Sequence, residues 1–302
     1  MSSSPEATVV ITTKDRKEDL RAAVQSVLCQ TANVEVLVMD DGSTDGTAEM
    51  VRSEFPSVRV HRSETSAGYI VRRNQGAELA RGPIVFSIDD DAEFSTPHVV
   101  EQTLANFDDP RIGAVAIPYI DVNRSSDVRQ EAPEAEDTYC TFSFRGTAHA
   151  LRRDLFLDLG GYREHLVHQG EEIDYCVRML DAGYVVRLGT SDVIHHHESP
   201  RRSFERMDYY GRRNAVFFVW QNAPQSHLLW MLFGTAINTI RTVIQRKRLI
   251  QFVKGTLAGY KACLSGRVER RPVEEKAYEL FRALQQGGPF PLKRCLSALG
   301  PA

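Results

Sequence analysis

Two rhythms of apolar and polar positions alternate along residues 1–120. Short runs rich in Val and Ile, at 9–11, 34–39, 58–60 and 84–88, predict four strands. Between them, helical spacing predicts helices over 18–29, where Leu20, Val24, Val27 and Leu28 share a face, over 47–54 and over 69–80. Such strands separated by helices argue for βαβ units and a mostly parallel sheet covered on both faces. Residues 113–120 (GAVAIPYI) predict one more strand, and the polar, acidic stretch from there to about Thr138 reads as a mobile loop. Structure resumes near Tyr139. Helices are expected over 152–159, closed by Gly160-Gly161, and over 171–182, ended by Gly183.

After about Pro224 the pattern changes. Residues 228–244 are strongly apolar, but Asn238 and Arg241 interrupt them and the run is short of a membrane span. Residues 241–271 hold nine basic residues against one acid, Glu269, a local charge of +8. Two readings stay open: an interfacial helix on an anionic membrane surface, or a helical appendage packed on the main lobe.

Composition narrows the class. The chain has 302 residues, 42% apolar and 25% charged, with a net charge of −3, so its balance gives no sign of nucleic-acid binding. Cys29, Cys140, Cys176, Cys263 and Cys295 are scattered and form no C-x-x-C pair, which fits reduced thiols and neither a disulfide framework nor a zinc knuckle. The N-terminus lacks the basic and apolar regions of a signal peptide. A cytoplasmic location is expected, or a peripheral one at the inner face of the cell membrane.

The candidate chemistry lies where the predicted strands end, because ligands of open α/β sheets bind at the carboxyl edge. Three polar clusters fall there: Thr12-Thr13-Lys14-Asp15-Arg16, Asp40 to Asp45, and Asp89-Asp90-Asp91. The second could be turn and capping chemistry alone. Three adjacent aspartates repel one another, and a hard divalent cation with phosphate oxygens would compensate them. Neither G-x-G-x-x-G nor G-x-x-x-x-G-K-[ST] follows the first strand, which disfavours dinucleotide and P-loop enzymes. Glu171, Glu172 and Asp174 open a helix, where acids suit the helix dipole whether or not they react. His195-His196-His197 follows a short strand, and in an extended chain at most His195 and His197 share a face.

Taken in order, the runs TTKDR, SVLCQT, VLVMDDGSTDGT, NQGAELARG, FSIDDD, GGYRE, GEEIDYCVRMLDAGY, HHHES and YYGRRN resemble family 2 glycosyltransferases of the GT-A fold, of a bacterial rhamnosyltransferase-like type. The similarity extends over about residues 7–224. It implies an α/β, GT-A-like, mostly parallel sheet flanked by helices with a helical C-terminal extension. Residues 1–120 would be the nucleotide-sugar-binding half, 121–224 the acceptor-binding and catalytic half, and 225–302 the extension.

The resemblance also implies an inverting, Mg²⁺- or Mn²⁺-dependent transfer from a nucleotide-diphosphate sugar to a hydroxyl of a saccharide, lipid-linked or small-molecule acceptor, in polysaccharide, glycolipid or other glycoconjugate synthesis. Carried over residue by residue, Thr12, Lys14 and Asp41 hold the nucleoside, with Lys14 standing where the family has an aromatic. Asp89 and Asp90 lie on the nucleotide-sugar side and Asp91 binds the metal, with His195 or His197 beside it. Arg73 and Arg213 approach the diphosphate. Glu172, in place of the family's Asp, is the base, with Glu171 and Asp174 as alternatives. The rival readings are a nucleotidyltransferase, which would show a glycine- and base-rich first loop, and a catalytically silent nucleotide-sugar-binding scaffold.

Overall fold

The computed structural model describes residues 4–134, 137–198, 204–246 and 249–301, and the side chains of all of these except 243–249. Strand β1 (Ala7–Thr13) is buried along its whole length, as a central strand of a two-faced sheet must be. It runs parallel to β2 (Val34–Asp40) on one side and to β4 (Ile84–Asp89) on the other, and β3 (Arg59–Arg62) adds a parallel edge beyond β2. Helices α1 (Lys17–Leu28), α2 (Thr47–Glu54) and α3 (Tyr69–Leu79) make the crossovers. The register pairs Thr13 with Asp40 and Thr12 with Asp89, so the three polar clusters emerge at one edge.

Beyond β4 the sheet is mixed. The chain turns at Asp90 and Asp91 into β5 (Ala92–Phe94), passes α4 (Val99–Ala105) and returns as β6 (Ile112–Ala116). The run 113–120 is therefore two elements. Pro118, which cannot donate a ladder hydrogen bond, separates β6 in the large sheet from β7 (Tyr119–Asp121) in a second one. The large sheet also takes in β8 (Tyr139–Thr141), β9 (His149–Arg152), β10 (Val185–Leu188) and, late in the chain, β12 (Phe290–Pro291), in the order β12-β8-β10-β6-β9-β4-β1-β2-β3. Strand β9 is antiparallel to both β4 and β6. The small sheet is β5-β11-β7, with β11 (Ile194–His196) in its centre.

Helices α5 (Arg153–Asp158) and α6 (Glu171–Asp181) match the expected ones, and Gly160, Gly161 and Gly183 all take positive φ at their ends. The stretch read as a mobile loop contains no long element but is pinned. Tyr119 bridges to Arg129, and the Gln130 amide donates to the carbonyls of Ile117 and Ala148 at 2.7 and 3.0 Å.

From Phe204 the chain is largely helical: α7 (Phe204–Asn222), α8 (Gln225–Arg246), α9 (Leu249–Leu264), α10 (Glu275–Gly287) and α11 (Leu292–Leu299), with β12 (Phe290–Pro291) between the last two. Only part of this stands apart. Helices α8 and α9 form a hairpin against α7, and Gly255 of α9 lets the two backbones approach: a Cβ there would lie 2.2 Å from the Tyr209 carbonyl. The last residues return to the sheet. Val273, Tyr278, Phe281, Leu284, Cys295 and Leu299 are buried in the same core as β1 and β4. Helix α8 starts at Gln225, where the helical extension was expected to begin, and the residues after the hairpin pack on the main core. No helix among the described residues is long and apolar enough to cross a membrane.

Candidate active site

At the carboxyl edge of β1, β2 and β4 the chain leaves a cleft of about 1080 Å³. Thr12, Lys14, Asp41, Arg73, Asp89, Asp90, Asp91 and Glu172 all line it. Its far wall is built by the small sheet and the start of α7: Tyr119, Asp121, His196, Phe204, Arg206 and Asp208.

The turn from β4 into β5 divides the three aspartates. Asp90 points inward, accepting from the Thr13 hydroxyl at 2.8 Å and from Arg16 Nη1 at 2.9 Å. Burial pushes it up to about 7, against the pull of Arg16 and with the charge of Asp91 adding. Asp89 and Asp91 turn the other way, toward His196, and the three residues bring their ligand atoms within 4.8 Å of one another.

Strand register explains why His196 rather than His195 or His197 faces this cluster. In β11, His196 pairs with Ala92 of β5 and Asp121 of β7, so its ring shares the cleft face, while its neighbours turn away. His197 is exposed, and its Nε2 lies 3.0 Å from Glu93. The two-residue period expected for the three histidines holds, but the register puts His196 beside Asp89 and Asp91, where His195 or His197 was expected. His196 Nδ1 is 2.6 Å from Asp121, and its Nε2 is buried, without a hydrogen bond, 3.4 Å from Asp91. Burial opposes charge on this ring, but Asp91 and Asp121 push it up to about 9. Burial would raise Asp91, yet His196 and then Arg16 hold it well below the usual carboxylate range. Two carboxylates and an imidazole anchored through its other nitrogen form a donor set that fits Mn²⁺ or Mg²⁺. A buried Nε2 that makes no hydrogen bond and faces the carboxylates of Asp89 and Asp91 is what such a site needs.

The second acidic run splits in the same way, on helical spacing. Gly170, at φ +90°, sets the entry into α6. Glu172 faces the cleft. Glu171 is fully buried, with Oε1 3.5 Å from Arg73 Nη1 and Oε2 unpartnered, and burial together with the charge of Glu172 pushes it up. Asp174 is corrected outright as an alternative base. It lies outside the cleft, held by Arg163 at 2.7 Å, Arg178 at 3.1 Å and Asn222 at 2.8 Å. Asp174 is two residues along α6 from Glu172, about 200° of helix, which turns it to the opposite side from the cleft. Gly146 closes the arrangement, since a Cβ there would lie 2.6 Å from Arg73 Nη1 and 2.8 Å from Glu172 Oε1.

The arginines are sorted by burial. Arg73 is buried at the cleft floor, 2.7 Å from Asp89, under the ring of Tyr69. Arg72 serves Asp41, whose carboxylate also accepts from Ser66 at 2.6 Å, Ala67 N at 2.8 Å and Gly68 N at 3.0 Å. Burial opposes that charge, but these donors keep Asp41 below its ordinary value. Arg213 is a correction: it donates to the carbonyls of His165 and Leu166, both at 2.8 Å, stacks on Tyr210 and Phe217, and does not line the cleft.

Two residues of the site were not expected from the sequence: Asp121, which anchors His196, and Arg16, which bridges Asp90 and Asp91. The available signal was Pro118, which marks the end of one strand and places Asp121 at the end of another.

The family profile described as "Glycosyl transferase family 2" matches residues 8–163, from β1 through Asp89, Asp90 and Asp91 to the turn after α5, while Glu172 and His196 lie beyond it. The chain belongs to glycosyl transferase family 2. The glycosyltransferase AglE of Haloferax volcanii is 26% identical to it over 223 residues, 67% of this chain and 69% of that one. Uncharacterized protein y4gI of Sinorhizobium fredii is 27% identical over 234 residues, 68% of this chain, and the chain spans only 26% of that relative's length. Among solved structures, the mannosyltransferase PcManGT of Pyrobaculum calidifontis, in complex with GDP-Man and Mn²⁺, aligns over 99% of this chain and 86% of that one, with TM-score 0.59 at 18% identity.

Proposed function

We propose that this family 2 chain transfers a sugar from a nucleoside-diphosphate sugar to an acceptor hydroxyl, with inversion, using Glu172 as the base. The observation that carries this reading is the shared cleft: Asp89, Asp91 and His196 converge at one end of the space that Glu172 faces. Asp89, Asp91 and His196 would hold Mn²⁺ or Mg²⁺, which when bound supplies Lewis-acid stabilisation of the departing diphosphate. The GDP-Man and Mn²⁺ held by PcManGT support that choice of ligand class.

The remaining chemistry belongs to the chain. Thr12, Lys14 and Asp41 line the end of the cleft where the nucleoside sits in this reading. Arg16 and Arg73 hold the aspartates in place and offset their mutual repulsion. Glu172 takes the acceptor proton as the hydroxyl attacks the anomeric carbon from the side opposite the diphosphate, so a single displacement inverts that centre. Glu171 and Arg73 form the buried support beneath it. The acceptor is a saccharide, a lipid-linked sugar or a small molecule, recognised by the wall that Phe204, Arg206 and Asp208 supply.

The test is release of nucleoside diphosphate from a panel of nucleotide sugars with Mn²⁺ or Mg²⁺, with and without acceptors. A cation-dependent turnover that Asp91→Asn lowers roughly 10³-fold supports the reading. Turnover indifferent to both the cation and Asp91→Asn contradicts it.

A further inference from the structure

The α8–α9 hairpin is inverted relative to the usual helix pair. Its seam is hydroxylic: Thr235 meets the Tyr260 hydroxyl at 2.7 Å, and Thr239 meets Thr256 at 3.0 Å, with both of the latter buried. Its outer face is apolar. On α8, Leu229, Trp230, Phe233, Ile237 and Ile240 are exposed, Trp230 by 78%. On α9, Ile250, Val253, Leu257 and Leu264 are exposed, Leu264 by 80%. These positions recur every three or four residues, so each helix presents one continuous stripe. A helix pair in water ordinarily places such side chains in the seam and threonines outside. A contiguous apolar face of this kind marks a surface that meets something apolar.

Charge selects the occupant. Lys254 and Lys261 are exposed within the α9 stripe, one before and one after Leu257, and Arg241 is exposed beside Ile240 on α8. From Gln225 to Val268 the sequence holds seven basic residues and no acid. A second copy of the chain seated on this face would set cation against cation. An anionic lipid surface would neutralise them while its acyl region takes up the apolar stripe, and Trp suits the boundary between the two. No described helix can span a bilayer, which leaves the face lying on one.

We infer that the outer face of the α8–α9 hairpin docks the protein on an anionic lipid bilayer surface. The placement serves the cleft. Helix α9 runs alongside α7, with Phe252 under Arg212 and Gly255 against Tyr209, so its start lies next to the turns of α7 whose Phe204, Arg206 and Asp208 line the cleft. The docked face therefore lies beside the cleft wall rather than across the molecule from it. The inference stands on the hairpin alone and holds whatever donor or base the cleft uses.

The test is flotation of the full chain with vesicles of phosphatidylglycerol and phosphatidylcholine, and with phosphatidylcholine alone, at low and high salt. Emission of Trp230 is followed in a Trp220→Phe background. The expected result is association with the anionic vesicles, weakened by salt, with a blue shift of Trp230. The Lys254→Gln/Lys261→Gln pair should weaken it about tenfold or more, given the gain per basic residue near such a surface. Trp230→Glu/Leu257→Glu should abolish it while nucleotide-sugar hydrolysis is retained. Absence of vesicle binding by the unaltered chain overturns the inference, as does binding that survives both pairs of substitutions. So does a dimer that Trp230→Glu/Leu257→Glu dissociates in a chain that ignores vesicles, since that makes the occupant a second copy. Should the glutamate pair fail to fold, the lysine pair and the Trp230 emission still decide.

Discussion

The end of β4 and the start of α6 each carry a run of carboxylates into the same region, and each divides its run differently. At the strand end a turn sends Asp89 and Asp91 toward His196 and leaves Asp90 buried against Thr13 and Arg16. At the helix start, 100° per residue sends Glu172 into the cleft, Glu171 beneath it to Arg73, and Asp174 away to Arg163, Arg178 and Asn222. Chemically alike neighbours therefore do three separate jobs. Facing a cleft with an open side leaves a carboxylate available for chemistry, whereas one wrapped in arginines and amides is committed to holding the fold.

The sharpest way to break this comparison is to neutralise the members of the helix run one at a time. Glu172→Gln should lower transfer by about 10²–10⁴, the range for loss of a general base. Glu171→Gln should keep most of the transfer, because its buried carboxyl is already pushed toward the neutral form. Equal losses in the two variants would erase the distinction. Asp174→Asn should act on stability instead. It leaves Arg163 and Arg178 short of their buried partner, at a cost of about 3–5 kcal/mol, read as a lowered urea midpoint with turnover per folded molecule preserved.

At the strand end, Asp121→Asn should weaken Mn²⁺ binding by roughly 10–100-fold through the loosened ring of His196. His195→Ala and His197→Ala should leave that affinity unchanged. A metal affinity that follows His195 or His197 would reverse the strand register argued above.

The smallest effect is one of pH. His149 is buried with Nδ1 donating to the Arg145 carbonyl at 2.9 Å and Nε2 facing the Tyr162 hydroxyl at 3.0 Å. Burial, with Arg73 adding, lowers it from 6.5 to about 3. Below its unfolded value the unfolded chain takes a proton that the folded one refuses. Stability is thus fully present above that value and is lost as pH falls toward the folded one, by about 1.4 kcal/mol per pH unit. Asp90 and Glu171, both pushed up by burial, act in the opposite sense over the same range, so the slope is read as the difference in thermal stability between the unaltered chain and His149→Gln from pH 7 to pH 5.

Much of this was legible because it is local. The strand-end clusters, the helix-start acids and the glycine stops at 160–161 and 183 follow from spacing within one element, and the structure reproduces them. What was not legible depends on partners far along the chain. Which histidine of 195–197 faces the cleft is set by the pairing of His196 with Ala92 and with Asp121, both far back along the chain. Strand β9 is only four residues long and carries no apolar alternation that distinguishes it from its flanks. The return of Phe290-Pro291 to the sheet edge beside Cys140 likewise has no local signature. Arg213 shows the converse error: a basic residue in a family-like segment that stacking and carbonyl contacts bind to the fold.

The central claim is that Asp89, Asp91 and His196 make one cation site facing Glu172. Anomalous diffraction from crystals grown with Mn²⁺ and a nucleoside diphosphate tests it most directly. The account predicts a single strong peak among those three side chains, with the diphosphate between it and Glu172. A peak at another cluster, or a diphosphate bound in the cleft with no metal beside Asp91, would contradict it.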